Sequence, residues 1–174
     1  MPRSDDGYAN CPLFREMTSA ERLCLESLLD QKLYAKNEGI LREGKTKQFL
    51  WIIVRGSCAV LKSRKDGNEQ QLAVLEPGAV FGEMSYFRPA PHSASIRTLS
   101  EVEVMCLSHS DFDQLQQICP TAADKLAVNI VSILAERLRK MDDWICELIE
   151  RPDGQRHREE WREFRSKLYS GWQF

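Results

Sequence analysis

The stretch FLWIIVRGSCAVLKSRKDGNEQQLAVLEPG, residues 49–78, decides the fold class. Residues 49–56 are rich in aromatic and β-branched side chains, and residues 57–65 partly alternate between apolar and polar. Both patterns are typical of β-strands. Asp66-Gly67 is a hairpin turn signal, and Pro77-Gly78 is a second turn signal. The stretch therefore predicts short antiparallel strands that are joined by tight turns.

The same pattern extends on both sides, from Leu33 to about Leu107. Glycines punctuate it at positions 39, 44, 56, 67, 78 and 82, and residues 93–99 and 101–107 are two further predicted strands. A helix is predicted at 18–31, where Thr18 and Glu21 form a capping box, and another at 111–118. The fold class is therefore mainly β with flanking α: a β jelly roll (double-stranded β-helix) with an N-terminal helix and a long C-terminal helix.

Four segments follow from these patterns. We expect a flexible N-terminus at 1–11, a jelly-roll domain with flanking helices at 12–119, a long helix at 120–150 and an amphipathic tail at 151–174. Pro152-Asp153-Gly154 ends the long helix, and acidic residues interrupt the basic residues of the tail, as in a solvated helix face.

The long helix carries a regular apolar stripe. Its members are spaced alternately by four and three residues, as in the seam between two packed helices. They are Ala127, Val131, Leu134, Leu138, Met141, Ile145 and Leu148. The pattern predicts a homodimer through this seam; the alternative is that the stripe covers the domain's own core. Ile130, Ile133 and Ile149 lie off the stripe and are available to pack on the domain.

Composition excludes several functions. The formal net charge of −2 gives no general affinity for nucleic acid or an anionic membrane. Residues 1–14 lack the apolar run of a signal peptide, and no stretch approaches the roughly 20 apolar residues of a membrane span, so we expect a cytoplasmic protein. The six cysteines and three histidines show no metal-ligand spacing, which predicts no metal site and makes the cysteines small core residues.

The segment FGEMSYFRPAPHSAS, residues 81–95, has the features of an anion site. Gly82 allows the backbone to approach a ligand closely, since no Cβ intervenes. Residues 83–88 are predicted to form one helical turn, whose unpaired N–H groups attract an anion. Two roles are open for Glu83. Its carboxylate accepts a hydrogen bond from a ligand hydroxyl, or its charge complements the helix dipole.

An ordered series of short motifs resembles the cyclic nucleotide-binding domain family over residues 12–141. The motifs are LREG (41–44), VRGSCAV (54–60), KDGNE (65–69), LEPGAVFGEM (75–84), PHSAS (91–95) and ILAERLR (133–139). The resemblance implies a jelly roll whose ligand, cAMP or cGMP, lies against a phosphate-binding cassette, here residues 81–95. It implies that Glu83 binds the ribose 2′-hydroxyl. The candidate ligand-binding residues are Phe81, Gly82, Glu83, Met84, Ser85, His92, Ser93 and Ala94.

The chain departs from the family at one residue of this cassette. His92 stands where the family has an arginine that binds the cyclic phosphate. Imidazole offers one donor instead of two, and its charge depends on pH. If His92 takes part, cAMP affinity should improve as the pH falls through about 6.5, the ordinary histidine pKa. Arg88 is an alternative source of charge.

Two functional interpretations remain. The first is a regulatory cyclic-nucleotide sensor that signals through an unknown protein effector, without catalysis or a cofactor. The alternative is a degenerate domain that binds no nucleotide and serves as a dimerisation and protein-interaction module. Direct DNA binding is not expected, because residues 151–174 lack a basic helix-turn-helix. A jelly-roll metalloenzyme would need clustered histidines, and an iron–sulfur sensor would need grouped cysteines.

Overall fold

The structure, a computed structural model, describes residue 8, residues 10–150 and residue 161. Within that part of the chain the strands are β1 (Asp30–Tyr34), β2 (Gly39–Leu41), β3 (Phe49–Arg55), β4 (Cys58–Ser63), β5 (Glu69–Leu75), β6 (Val80–Phe81), β7 (Ser95–Thr98) and β8 (Val102–Ser108). The helices are α1 (Ser19–Glu26), α2 (His109–Ile118) and α3 (Pro120–Glu150), with 3₁₀ turns at Pro12–Phe14 and Glu83–Ser85.

The strands form two antiparallel four-stranded sheets, in the orders β1-β8-β3-β6 and β2-β7-β4-β5. Apart from the β4–β5 hairpin, neighbours in each sheet are far apart in sequence, which is the topology of a jelly roll. The predicted fold class is confirmed. The turn signal at Pro77-Gly78 is where the chain crosses to β6, and the Gly78 N–H donates to Ile53 O at 2.8 Å.

The core between the sheets is built from alternate residues of each strand. Trp51 and Ile53 of β3 face Cys58 and Ile96 of the other sheet, and all four are buried. Because side chains alternate across a strand, Leu50 and Ile52 point to the opposite face. They are buried as well. Helix α2 packs against β8, and α1 packs against α2.

The N-terminal helix is shorter than the sequence predicts. The predicted capping box is present, with the Glu21 N–H donating to Thr18 Oγ1 and the Thr18 N–H donating to Glu21 Oε2. However, α1 ends at Glu26, and Asp30 and Gln31 already pair with β8. The predicted end at residue 31 is wrong, because cross-strand pairing prevails over helical periodicity there.

Helix α3 begins at Pro120 and ends at Glu150, the bounds expected from the sequence. Ile130 and Ile133 are buried, as their position off the stripe indicated. Buried Asn129 donates from Nδ2 to the carbonyls of Leu13 and Arg15, each at 2.9 Å. No helix among the described residues is long and apolar enough to span a membrane.

The chain divides into two compact units, Met1–Ile133 and Leu134–Phe174. In the segment 1–11, Tyr8 and Cys11 are buried, and the Tyr8 ring contacts Phe14; most of that segment lies outside the described residues. Apart from Trp161, the predicted amphipathic tail at 151–174 lies outside the described residues.

Candidate functional site

The cassette, residues 81–95, starts inside the hydrophobic core. Phe81 pairs with Trp51 across the β3–β6 ladder, and their rings are stacked at 5.9 Å with an interplanar angle of 3°. Both side chains are buried. Phe81 therefore fixes the entry to the cassette, which is a packing role in addition to any ligand contact.

Gly82 is required by the neighbouring strand. Its φ is +82°, and a Cβ at this position would overlap the carbonyl oxygen of Phe49 and lie 3.0 Å from Trp51 Cδ1. The left-handed conformation itself favours glycine. The close approach that glycine permits is thus to β3, whereas the sequence predicted an approach to a ligand.

The helical turn of the cassette contains three residues, Glu83–Ser85, instead of the predicted six. Tyr86 ends it, because the Tyr86 carbonyl accepts from Gln48 Nε2 at 3.1 Å and its hydroxyl donates to Ser108 O at 3.0 Å. Within the turn, Glu83 and Ser85 are buried, whereas Met84 is 67% exposed. The Glu83 carboxylate is therefore held inside the domain, as a ligand-binding carboxylate would have to be.

His92 lies beneath this turn. Its side chain is only 8% exposed, and its Nδ1 is 3.2 Å from Ser85 Oγ. Its backbone is fixed as well, since the His92 N–H donates to Lys45 O at 2.9 Å and its carbonyl accepts from the Gly44 N–H at 3.0 Å. His92 is thus held between the turn and Gly44-Lys45, where the LREG motif ends.

Burial, and then the positive charge of Lys47, lowers the pKa of His92 below its ordinary value of 6.5. A neutral imidazole is therefore the form at pH 7. The sequence predicted that His92 becomes charged as the pH falls through about 6.5; with the lowered pKa, a lower pH is needed. The other ring nitrogen, Nε2, is buried and has no hydrogen-bond partner among the described residues.

Lys62 is a cation beside the cassette that was not predicted from the sequence. Its Nζ donates to Ser93 O and to Glu43 Oε1, both at 2.6 Å. Lys62 foremost, and then the Ser63 N–H, lowers the pKa of Glu43. No local motif marks Lys62, because it lies on β4, 31 residues from Ser93. Arg88, the alternative predicted from sequence, is exposed.

The end of the cassette is partly open to solvent. Ser93 is exposed, and its Oγ lies 3.6 Å from Met84 Sδ, while Ala94 is half-buried. Ser95 Oγ accepts from the Glu43 N–H at 2.9 Å. The structure thus joins His92 to Ser85 and Ser93 to Met84, and it ties this end of the cassette to residues 43–45.

A family model for the cyclic nucleotide-binding domain matches residues 31–119, just over half of the chain. The chain belongs to the cyclic nucleotide-binding domain family. The cyclic AMP receptor protein of Thermus thermophilus is 31% identical over 131 residues, covering 75% of this chain and 59% of that protein. A cAMP-dependent protein kinase regulatory subunit of Mycosarcoma maydis is 28% identical over 109 residues, covering 60% and 21%.

Solved structures agree with this membership. The Thermus thermophilus catabolite activator protein superposes with a TM-score of 0.69 at 31% identity, over 79% of this chain and 62% of that one. The chain spans about three fifths of the length of the first curated relatives it matches. A regulatory subunit from Trypanosoma brucei, described as belonging to a cAMP-independent protein kinase A, shares the fold at 18% identity, with a TM-score of 0.60 over 87% of this chain and 48% of that one.

The residues of the predicted dimer seam differ in their exposure to solvent. Val131, Leu138 and Met141 are 62%, 57% and 48% exposed. Ala127, Leu134 and Ile145 are half-buried, and the side chain of Leu148 lies outside the described residues. Val128 and Trp144, which are not part of the predicted stripe, are also exposed. Val131, Leu138 and Met141 form one exposed side of α3, and Val128 and Trp144 lie on either flank of it.

The six free cysteines divide into a buried group and a partly exposed group. Cys11, Cys58 and Cys106 are buried, as expected of small core residues, whereas Cys24, Cys119 and Cys146 are partly exposed. Burial, and then the neighbouring Cys119, raises the pKa of the Cys24 thiol. Among the described residues, no group of histidine, cysteine and acidic side chains could hold a metal ion.

Proposed function

We infer that this chain is a regulatory domain that binds cAMP or cGMP through a cassette with a neutral phosphate clamp. Glu83 would accept from the ribose 2′-hydroxyl, and His92 Nε2 and Ser93 would donate to the cyclic phosphate. The domain would act without catalysis or a cofactor and would signal through a protein effector. The observation that carries this proposal is the buried, unpartnered Nε2 of His92.

A buried polar nitrogen without a partner is costly, by about 1–3 kcal/mol. The neighbouring Ser85 hydroxyl explains how Nε2 would become a donor. The Ser85 hydroxyl has one proton and two acceptors in reach, His92 Nδ1 at 3.2 Å and Gly82 O at 3.4 Å. When it donates to the nearer Nδ1, the single proton of neutral imidazole lies on Nε2. An N–H group at this point of the cassette matches a phosphate oxygen, and it replaces one of the two donors of an arginine.

The clamp would bind more weakly than an arginine clamp. The charge of Lys62 is already offset by Glu43, so it compensates only in part for the missing guanidinium. A hydrogen bond to a charged donor contributes about 1.5–3 kcal/mol, and its loss weakens binding roughly ten- to a hundredfold. We therefore expect a lower affinity for cAMP than in a domain that has the arginine.

Isothermal titration calorimetry of cAMP and cGMP with three proteins tests this proposal. Wild type should bind, His92→Arg should bind at least about tenfold more tightly because it restores a second donor and a fixed charge, and His92→Phe should bind more weakly. Far-ultraviolet circular dichroism verifies that each variant is folded. Equal affinity of His92→Phe and wild type would remove His92 from the clamp.

The pH dependence gives a second readout. Because an anionic ligand favours the protonated imidazole, affinity should rise as the pH falls, and because the pKa of His92 in the free domain is lowered, the rise should continue below pH 6.5. This rise should be absent in His92→Arg, whose charge does not titrate. A rise in wild type that is complete above pH 6.5 would contradict the buried, neutral state of His92.

A second candidate function is the degenerate interaction module. The hydrogen bond of His92 to Ser85 and the pairing of Lys62 with Glu43 favour it, since both leave the cassette self-satisfied in part. The Trypanosoma brucei neighbour indicates that the fold alone does not establish cAMP dependence. If neither wild type nor His92→Arg binds a cyclic nucleotide, this second function is the better one. In both cases we propose a homodimer through the exposed side of α3.

A further inference from the structure

Two lysine side chains lie against the same pair of aromatic rings at the edge of the core. Lys32 Nζ, on β1, is 5.0 Å from the centroid of the Phe49 ring and 5.4 Å from that of Trp51. Lys47 Nζ, just before β3, is 5.2 Å and 5.6 Å from the same two centroids. Both ammonium groups therefore lie within 5.2 Å of the Phe49 centroid, and their like charges repel each other.

The position of Lys32 is unusual for a lysine. Side chains alternate across a strand, so Lys32 shares a face of β1 with Tyr34, which packs against the core. Both are half-buried, whereas the neighbours Gln31 and Leu33 are exposed. Lysines are mostly exposed, and buried ones are paired. In the described part of the chain, however, neither Lys32 nor Lys47 forms an ion pair with a carboxylate.

The Trp51 indole has an unused hydrogen-bond donor beside these lysines. Trp51 is fully buried, and its Nε1 has no hydrogen-bond partner among the described residues. A Cβ on Gly82 would lie 3.0 Å from Trp51 Cδ1, the carbon bonded to Nε1, so the N–H lies on the edge of the indole next to the cassette. An unsatisfied buried donor is costly, and a ligand that supplies an acceptor removes this cost.

The segment that carries Lys47 is attached to the cassette on both sides of that residue. The Lys45 carbonyl accepts from the His92 N–H at 2.9 Å, and Gln48 Nε2 donates to Tyr86 O at 3.1 Å. Lys47 lies between these two contacts, and after burial its charge is the second cause that lowers the pKa of His92. The lysine charge is therefore available next to the imidazole that stands where the family has an arginine.

We propose that Lys32, Lys47 and the Trp51 N–H bind a phosphate group, which in a bound cyclic nucleotide is the cyclic phosphate. This assignment rests on the proposed function, and it places the positive charge of the clamp on side chains outside the cassette. Each lysine exchanges a contact with the rings for a hydrogen bond between a cation and an anion, which is the stronger interaction at an exposed site. A phosphate between the two ammonium groups also offsets their repulsion.

Isothermal titration calorimetry of cAMP tests the two lysines. Lys32→Met and Lys47→Met keep an unbranched side chain and remove the charge, so each should weaken cAMP binding roughly tenfold. Lys47→Arg should retain the affinity, because it keeps the charge. Added sodium chloride should weaken binding more in wild type than in Lys47→Met, since salt screens the lysine charge.

Lys36→Met is the matched control. Lys36 is exposed between β1 and β2, so this variant loses the same charge away from the two rings. It should bind cAMP as wild type does. Equal weakening in Lys36→Met and Lys47→Met would show a general effect of net charge and would overturn the proposal.

The Trp51 N–H gives a direct readout of the phosphate. In the nuclear magnetic resonance spectrum of ¹⁵N-labelled wild type, the assigned indole proton of Trp51 should move downfield when cAMP or sodium pyrophosphate is added, because a hydrogen bond to an anion deshields it. A merely structural role of the lysines would leave this resonance in place. An unchanged resonance in protein saturated with cAMP would remove Trp51 from the site.

This site and the proposed function fail in different ways. If wild type binds a cyclic nucleotide and both lysine variants bind it equally well, the lysine site is wrong and the proposed function stands. If wild type binds no cyclic nucleotide, the proposed function is wrong, and calorimetry of sodium pyrophosphate decides the lysine site. Pyrophosphate binding that is weaker in Lys32→Met and Lys47→Met supports the site; binding that is absent, or equal in wild type and variants, overturns it.

Discussion

At Gly82 the backbone has a φ of +82°, and a Cβ there would overlap the Phe49 carbonyl. Gly82→Ala should therefore destabilise the fold by about 3 kcal/mol or more, since a strained left-handed residue alone costs about 1–2 kcal/mol and the overlap adds to it. Urea unfolding followed by tryptophan fluorescence measures the loss.

Gly67 provides the control for that substitution. Its φ is +83°, but a Cβ there has no neighbour within 4 Å. Gly67→Ala should cost only the conformational strain, about 1–2 kcal/mol. Equal losses at the two positions would show that the contact of Gly82 with β3 is unimportant.

His92 shows what the sequence can and cannot reveal about a single residue. The motifs on either side fix its place in the cassette, so the sequence alone shows that a histidine stands where the family has an arginine. Its burial could not be predicted, because that depends on Ser85 and on residues 44–45, which the fold brings together. Lys62 was missed for the same reason: only the pairing of β4 with β7 brings it beside Ser93.

At the scale of elements, local sequence signals predicted well whether a segment is a helix or a strand, and they predicted less well where it ends. The capping box at Thr18 and the start of α3 at Pro120 are properties of adjacent residues, and both are confirmed. The predicted end of α1 and the predicted length of the cassette turn were wrong. Each is set by a distant partner: β8 pairs with Asp30, and Gln48 and Ser108 bind Tyr86.

The role of the exposed side of α3 can be tested by introducing one charged residue into it. Leu138→Glu places a carboxylate in the proposed seam twice per dimer, so the dissociation constant should rise by roughly a hundredfold or more. Sedimentation equilibrium measures it. Asp143→Lys, also exposed but nearly opposite on the helix, should leave the constant unchanged. A wild-type chain that is monomeric at high concentration would refute the seam.

At the scale of the whole molecule, the jelly roll could be predicted because its strands and turns are marked locally. The alternation in residues 57–65, the Asp66-Gly67 turn and the spaced glycines each describe one strand or one hairpin. The sheet order could not be derived from them, since β1 pairs with β8 across most of the domain. The family resemblance implied the jelly roll, and the sheet order and the long-range side-chain pairs came only from the structure.

One of these pairs, Glu21 with Lys125, joins the two ends of the described domain. Lys125 first, and then the Thr18 N–H, lowers the pKa of Glu21 from 4.5 to about 2. Because the folded pKa is the lower one, the pair stabilises the fold above about pH 4.5 and this stability is lost as the pH falls through about 2. Wild type should therefore lose more stability between pH 5 and pH 2 than Lys125→Met does.

Urea unfolding at pH 5, 3 and 2 measures this difference between wild type and Lys125→Met. Lys140→Met is the control, because Lys140 pairs with Glu136 on the surface of α3, where both side chains are more than half exposed. Such exposed pairs contribute little, so this variant should follow the acid dependence of wild type. If Lys125→Met and wild type lose stability in parallel, the lowered pKa of Glu21 comes from its N-cap contact with Thr18, and α1 is held to α3 by packing alone.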